Sequence, residues 1–176
     1  MCYSFSVSSL VLAMGGALVA GCASYDGRGL QPGVSSVDEV VALMGPPALH
    51  WKDPDGRTQL AYPRGPEGLQ TFMAFIDAQG RLERIEGVLG TKHFARIEPG
   101  KSDQAAILRL LGPSQPQWTM YFERRDELVW EWRFCDDWGQ VARFDVLFDG
   151  MSGVVRTTYQ RPELRGFGLS AQTCGH

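Results

Sequence analysis

Two short stretches of the chain carry apolar residues at helical spacing, and each is bounded by residues typical of helix ends. The apolar stripes consist of Val37, Val40, Val41 and Met44 in the first stretch and of Ile107, Leu108 and Leu111 in the second. Ser36 followed by Glu39 is typical of a capping box, and Ser102, with Asp103 in the first turn, is the expected N-cap of the second helix. The pattern therefore predicts two helices of about ten residues.

Seven other segments have the composition and alternation of β-strands. They are Gln59–Pro63, Gln70–Asp77, Leu82–Leu89, Met120–Glu123, Leu128–Cys135, Val141–Phe148 and Val154–Tyr159. The connections Asp77–Gly80 and Asp149–Gly153 are rich in turn residues, which predicts hairpins between the flanking strands. Such closely spaced strands are typical of antiparallel meanders.

The alternation is clearest in two neighbouring strands of the second half. Trp130, Trp132 and Phe134 share one face while Glu131 and Arg133 share the other, and Phe144, Val146 and Phe148 likewise oppose Arg143 and Asp145. Successive side chains of a strand point to opposite faces of the sheet. We therefore expect a sheet with its aromatic face on the core and its charged face toward solvent.

The two predicted helices lie in matching segments, because residues 32–46 resemble residues 99–113 at an offset of 67. The identical pairs are Pro32/Pro99, Gly33/Gly100, Ser35/Ser102, Leu43/Leu110, Gly45/Gly112 and Pro46/Pro113, and Trp51/Trp118 keep the same offset. Internal duplication predicts one structural unit used twice. We expect an α+β fold of two tandem helix-plus-antiparallel-β-meander repeats, at residues 30–95 and 96–160, followed by a C-terminal tail at 161–176.

The N-terminus has the pattern of an export signal. No charged residue precedes Asp26, and an apolar run at 10–20 leads into Val19-Ala20-Gly21-Cys22, which resembles the lipobox of bacterial lipoproteins. This predicts a signal peptide at 1–21, a lipidated Cys22 and a linker at 22–29. The two residues directly after Cys22 are Ala and Ser rather than Asp, which favours the periplasmic face of an outer membrane. A retained transmembrane helix and a soluble secreted protein are the alternatives.

A family resemblance follows from these motifs taken together. A lipobox, then Pro-Gly-x-Ser, a short helix, a Gly-Pro stop, a tryptophan and a β-meander resemble the BamE-like (SmpA/OmlA) outer-membrane lipoproteins. The tandem arrangement is similar to the β-lactamase inhibitor protein fold. The resemblance implies a non-enzymatic protein-binding module with outer-membrane or periplasmic partners, acting in β-barrel assembly or envelope integrity. The alternative is a periplasmic inhibitor that caps an enzyme with its sheet.

The remaining composition excludes several classes of protein. With 17 basic and 20 acidic residues the chain has a net charge of −3, so it lacks the basic footprint of a nucleic-acid-binding domain. It has no Gly-x-Ser-x-Gly, His-Glu-x-x-His, Walker or dinucleotide motif, and no Cys-x-x-Cys pair. We therefore expect no catalytic residues, no cofactor and no metal site.

The four cysteines divide by position. Cys2 would leave with the signal peptide and Cys22 would carry the lipid, which leaves Cys135 and Cys174. In an oxidising periplasm these two could form a disulfide that ties the tail to the strand ending at Cys135. Two free thiols are the alternative.

Candidate partner surfaces come from apolar residues that the repeat pattern does not assign to a core. In the strand 70–77, Met73 and Phe75 face away from Phe72, Ala74 and Ile76, so both sides are apolar. Either the other repeat or a partner protein must cover the side of Met73 and Phe75. Trp138 belongs to an aromatic-rich segment that either fills the core or anchors a partner.

Overall fold

In the computed structural model of the chain, the described residues are 26–64, 68–165, 170–171 and 173–174. This part of the protein is mostly β, with 43% strand, 19% helix, two antiparallel four-stranded sheets and three helices. The predicted α+β class of two helix-plus-meander repeats is therefore wrong. The helices are too short to make up a large share of the fold: they have eight, four and eight residues, whereas the central strands of the second sheet have nine. The predicted signal peptide and Cys22 lie outside the described residues.

The elements follow one another in the order of two successive sheets. The helices are α1 (Val37–Met44), α2 (Thr91–Phe94) and α3 (Gln104–Leu111). The first sheet consists of β1 (Leu49–Lys52), β2 (Thr58–Pro63), β3 (Thr71–Ile76) and β4 (Leu82–Gly87), and the second of β5 (Thr119–Phe122), β6 (Glu127–Cys135), β7 (Val141–Asp149) and β8 (Val155–Pro162). Both sheets keep chain order, and β9 (Leu164–Arg165) pairs with β10 (Ser170–Ala171). Single 3₁₀ turns occupy Pro116–Trp118 and Glu123–Arg125.

The N-caps of the two longer helices differ from each other. The capping box of α1 is confirmed: the Glu39 backbone N–H donates to Ser36 Oγ at 3.3 Å, and the Ser36 N–H donates to Glu39 Oε2 at 2.7 Å. The predicted Ser102 cap of α3 is wrong, because Asp103 caps it by accepting from the Ala106 N–H at 2.8 Å. Ser102 instead accepts a bond from the preceding loop. Ser102 and Asp103 are both suitable N-caps, and Asp103 is used because the Ser102 hydroxyl is already bonded to the Glu98 N–H.

The seven predicted strands are all present, with ends that move by up to three residues. The short strand β1 was missed, since four residues are too few for a period-two signal. The two predicted hairpin turns are also present, at residues 77–81 and 149–154. No helix among the described residues is long and apolar enough to cross a membrane.

The second sheet and α3 enclose the larger core. Its buried residues include Ile107 and Leu111 of α3 and the inward-facing aromatics of β6 and β7, with Phe94 of α2 stacked on Phe144 at 3.7 Å between ring centroids. A smaller core lies between α1 and one face of the first sheet, where Val40 and Met44 belong to one buried cluster with Leu60 and Ile76.

The opposite face of the first sheet is covered by the second half of the chain. Ala61, Met73 and Val88 form a third buried cluster on that face. The Gln59 amide Nε2 donates to the Arg109 carbonyl of α3 at 2.6 Å. The side of β3 that contains Met73 is therefore covered from within the protein.

Candidate functional site

A cavity of about 540 Å³ opens on the face of the second sheet that points away from its core. The residues that line it come from β5 to β8 and include Met120, Val129, Arg143, Asp145, Tyr159 and Arg161. Because side chains alternate along a strand, odd-numbered residues of β6 and β7 lie on the side of the sheet where the cavity opens, while the aromatic residues between them fill the core.

Three arginines lie side by side at the centre of this face. Arg133 on β6 is opposite Arg143 on β7, which in turn is opposite Arg161 on β8. The neighbouring row has Glu131 opposite Asp145. Like charges directly opposite one another destabilise a sheet, so this arrangement needs carboxylates in adjacent positions.

The carboxylates satisfy the arginines through a continuous set of ion pairs. Arg133 donates from Nε and Nη2 to Glu163 at 2.7 and 2.9 Å, and both side chains are 5% exposed. Arg143 donates to Glu163 at 2.8 Å and also pairs with Glu131. Arg161 bridges the same Glu131 and Asp145, with its Nε 3.1 Å from Asp145 Oδ2. We call these six residues, Glu131, Arg133, Arg143, Asp145, Arg161 and Glu163, the charged face.

Asp145 is the most deeply buried carboxylate of the charged face, at 2% exposure. The pKa of Asp145 is raised to about 6, chiefly by burial; the Arg161 guanidinium opposes this shift and the negative charge of Glu131 adds to it. With all six groups ionised, three positive and three negative charges cancel. Protonation of Asp145 near pH 6 would therefore leave the charged face one positive charge in excess.

Apolar side chains surround the charged face. Met120, Tyr159 and Leu164 line the same cavity and are 54%, 48% and 45% exposed. They are three of the seven large hydrophobic residues that are exposed in the described ranges. Trp118 also contributes to the rim, with the Arg143 guanidinium 5.1 Å from its ring centroid.

The partner-surface residues expected from the sequence do not form one site. Met73 is fully buried under the second half of the chain and is therefore not a surface residue. Phe75 is half-buried, with the Arg84 guanidinium 3.7 Å from its ring centroid. Trp138 is 87% exposed in the turn between β6 and β7.

Cys135 and Cys174 form a disulfide, with their Cα atoms 6.0 Å apart and a sequence separation of 39. The Cys174 N–H also donates to the Gly139 carbonyl at 2.9 Å. These two links hold residue 174 against the β6–β7 turn that contains Trp138.

The alternation in β6 and β7 predicts that their charged residues face solvent, and it does not identify the charged face as a site. The missing information was register: it aligns three arginines across three strands and brings Glu163, beyond the end of β8, beneath them. The available signal was the unusual pairing of Glu-x-Arg on β6 with Arg-x-Asp on β7, at positions that a hairpin places opposite one another.

No group of three or more histidine, cysteine, aspartate or glutamate side chains is placed to hold a metal ion within the described ranges. No protein-family model matches the chain, and no curated protein or solved structure is significantly similar to it. The charged face and its apolar rim are therefore the features of the molecule that indicate a function.

Proposed function

We propose that this protein is a non-enzymatic, lipid-anchored binding module of the outer membrane that docks an outer-membrane or periplasmic protein on the charged face. The observation that carries the proposal is the ring of exposed Met120, Tyr159 and Leu164 around one cavity whose floor is a set of paired charges. Exposed apolar side chains that cluster around a single depression are typical of interaction sites.

The composition of this surface matches that of binding hot spots. Tyrosine, methionine, tryptophan and arginine are enriched at protein interfaces, whereas lysine is depleted. The rim supplies the first three types, and Arg161, 47% exposed, supplies a guanidinium at the edge of the cavity. A partner that covers the rim would bury apolar area and place its own polar groups against Arg161.

The paired charges of the floor favour specificity. Each of its arginines is already oriented by a carboxylate, so little side-chain freedom is lost when a partner binds. A partner that offers no acceptor to the remaining N–H donors of these arginines would remove their bound water without replacing its hydrogen bonds. This cost disfavours incorrect partners.

The lipobox-like segment at Cys22 supports the anchor. Confinement to one membrane raises the effective concentration of the module near embedded partners, so a modest surface is sufficient for binding. The resemblance of the sequence motifs to BamE-like lipoproteins supports a role in β-barrel assembly or envelope integrity.

Site-specific photocrosslinking in the native host tests the docking surface. A photoreactive amino acid would replace Met120 or Tyr159 on the rim, and Val34 or Met151 as matched controls, which are 60% and 91% exposed and do not line the cavity. We expect a discrete adduct with an outer-membrane or periplasmic protein from the rim positions alone. Equal adducts from all four positions, or none from the rim, would refute docking on this face.

The identity of the adduct and the anchor are tested separately. Recovery of a β-barrel assembly protein supports the assembly role, whereas recovery of a soluble hydrolase would replace that role by inhibition. Cys22→Ser should abolish fatty-acid labelling and release the protein from membranes. Unchanged membrane fractionation of Cys22→Ser would refute the lipid anchor without affecting the crosslinking result.

A further inference from the structure

A second cavity, of about 210 Å³, lies between the first sheet and the helices α2 and α3. It is distinct from the charged face of the second sheet and shares no residue with it. The ionisable groups that line it are Arg84, Glu86, His93, Arg96 and Arg109. Its size is below the roughly 300–1,000 Å³ of sites for drug-sized ligands, which suits a small ligand.

Arg84 is held in place on one wall of this cavity. Its Nε donates to Glu86 Oε1 at 2.7 Å, its Nη1 lies 3.3 Å from Glu83 Oε2, and its guanidinium covers the Phe75 ring at 3.7 Å. A guanidinium has five N–H donors. These two bonds therefore leave three oriented donors on Arg84.

Arg109 is held in a similar way on the wall formed by α3. Its Nη1 and Nη2 donate to the two carboxylate oxygens of Asp53 at 2.7 and 2.9 Å, and Nη2 is 3.4 Å from Gln59 Oε1. The hydrogen bond from Arg109 lowers the pKa of Asp53, so that carboxylate stays ionised and keeps the guanidinium fixed. Two N–H donors of Arg109 remain for other acceptors.

Arg96 supplies a third guanidinium, which is exposed and has no hydrogen bond or ion pair from its side chain to any described residue. His93 lies beside it, buried, with Nε2 3.4 Å from Glu86 Oε2. Three arginines and one carboxylate, that of Glu86, line the cavity, whereas Asp53 and Glu83, which pair with Arg109 and Arg84, lie outside its lining.

We infer that this cavity binds a phosphate group, either as inorganic phosphate or as a small phosphomonoester. Two pre-oriented guanidiniums with spare donors and a third without a carboxylate partner provide several N–H groups from separate directions. A tetrahedral oxyanion accepts bonds from separate directions, whereas a planar carboxylate is best matched by a single guanidinium. The phosphate would accept hydrogen bonds from Arg96 and from the spare donors of Arg84 and Arg109 without displacing Glu86 or Asp53.

Isothermal titration calorimetry of the full chain with inorganic phosphate tests this inference, with acetate as the carboxylate probe. We expect phosphate to bind more tightly than acetate, and Arg96→Gln to weaken the phosphate affinity by about tenfold or more through loss of a charge-assisted hydrogen bond. The Arg96 side chain is exposed and makes no hydrogen bond or ion pair to a described residue, so the variant should fold normally. Arg28→Gln, at a side chain 88% exposed and outside the cavity, should leave the affinity unchanged.

A parallel titration with glycerol 3-phosphate distinguishes the two forms of the ligand. Tighter binding of the ester than of inorganic phosphate would assign the cavity to phosphomonoesters, and the opposite order would assign it to free phosphate. Absence of binding of both at millimolar concentration, or equal weakening by Arg96→Gln and Arg28→Gln, would overturn the inference. Neither result depends on the crosslinks from Met120 and Tyr159.

Discussion

Gly112, which ends α3, lies directly against Thr71 of β3. A Cβ atom at position 112 would lie 2.8 Å from Thr71 Cγ2, closer than side-chain carbons normally approach. Gly112 also has a φ of +76°, which residues with a side chain adopt only at a cost. The contact joins the second half of the chain to the face of the first sheet that contains Met73.

The two glycines that end the longer helices allow this contact to be measured. Gly45 ends α1 with a φ of +85°, but a Cβ atom there would have no neighbour within 4 Å. Gly45→Ala should therefore lower the free energy of unfolding by about 1 kcal/mol through backbone strain alone. Gly112→Ala adds a steric clash and should cost about 2–3 kcal/mol. Urea unfolding followed by tryptophan fluorescence measures both, and equal losses would argue against the close approach of α3 to β3.

The buried pair of Arg133 and Glu163 should show strong energetic coupling. Removal of Arg133 takes two charge-assisted hydrogen bonds from the buried Glu163, which keeps Arg143 as a partner, so we expect Arg133→Leu to lower the free energy of unfolding by about 2–4 kcal/mol. Arg133→Leu combined with Glu163→Leu should cost less than the sum of the single losses, by about 1–3 kcal/mol. Strictly additive losses in this double-mutant cycle would mean that the pair does not act as a unit.

Asp145 should make stability depend on pH in a direction unusual for a carboxylate in an ion pair. Because burial raises its folded-state pKa to about 6, above the ordinary value of 3.8, the folded protein binds a proton more readily than the unfolded chain between these values. Stability should therefore increase as the pH falls from 7 to 5. Relative to Asp145→Asn, the wild type should gain about 1 kcal/mol over this interval in urea unfolding.

Asp149 is the matched control for this pH effect. The Ser152 backbone N–H and the Arg156 guanidinium lower the pKa of Asp149, so its contribution is complete above the ordinary value and is lost only at lower pH. Asp149→Asn should accordingly change stability by the same amount at pH 5 and pH 7. A wild-type protein that loses stability relative to Asp145→Asn on acidification would contradict the raised pKa.

The Cys135–Cys174 disulfide should contribute measurably to stability. It links two positions with a sequence separation of 39, for which the loop-entropy model gives about 4 kcal/mol. We expect the double variant Cys135→Ser/Cys174→Ser to lose about 2–4 kcal/mol in chemical denaturation. A reducing agent should destabilise the wild type to the same degree and leave the double variant unchanged. No effect of reductant on the wild type would indicate that the disulfide does not form or does not stabilise the fold.

Local signals were the most reliable part of the sequence. Ser36 and Glu39 predicted their capping box correctly because both partners lie within one turn of helix. At the second helix, Ser102 and Asp103 could each accept the same kind of bond. The choice between them was made by the loop, where Ser102 Oγ instead accepts from the Glu98 N–H at 3.0 Å. The sequence identified a helix start but not the residue that caps it.

Information that depends on three-dimensional pairing was beyond the sequence pattern. The alternation in β6 and β7 identified which side chains share a face, yet the burial of Arg133 and Asp145 arises from their partners on neighbouring strands. The two apolar sides of β3 likewise left open what covers Met73. The sequence pattern overestimates the helix content because helix ends give clear sequence signals even when the helices between them are short.

Because the second half of the chain covers Met73, the first sheet cannot bury both of its faces before that half has been synthesised. A nascent chain that has emerged only to β4 can enclose its first core with α1, but the patch of Ala61, Met73 and Val88 stays bare until α3 arrives. During that interval the growing polypeptide presents an adhesive apolar surface, which would make it a natural client for a holding chaperone.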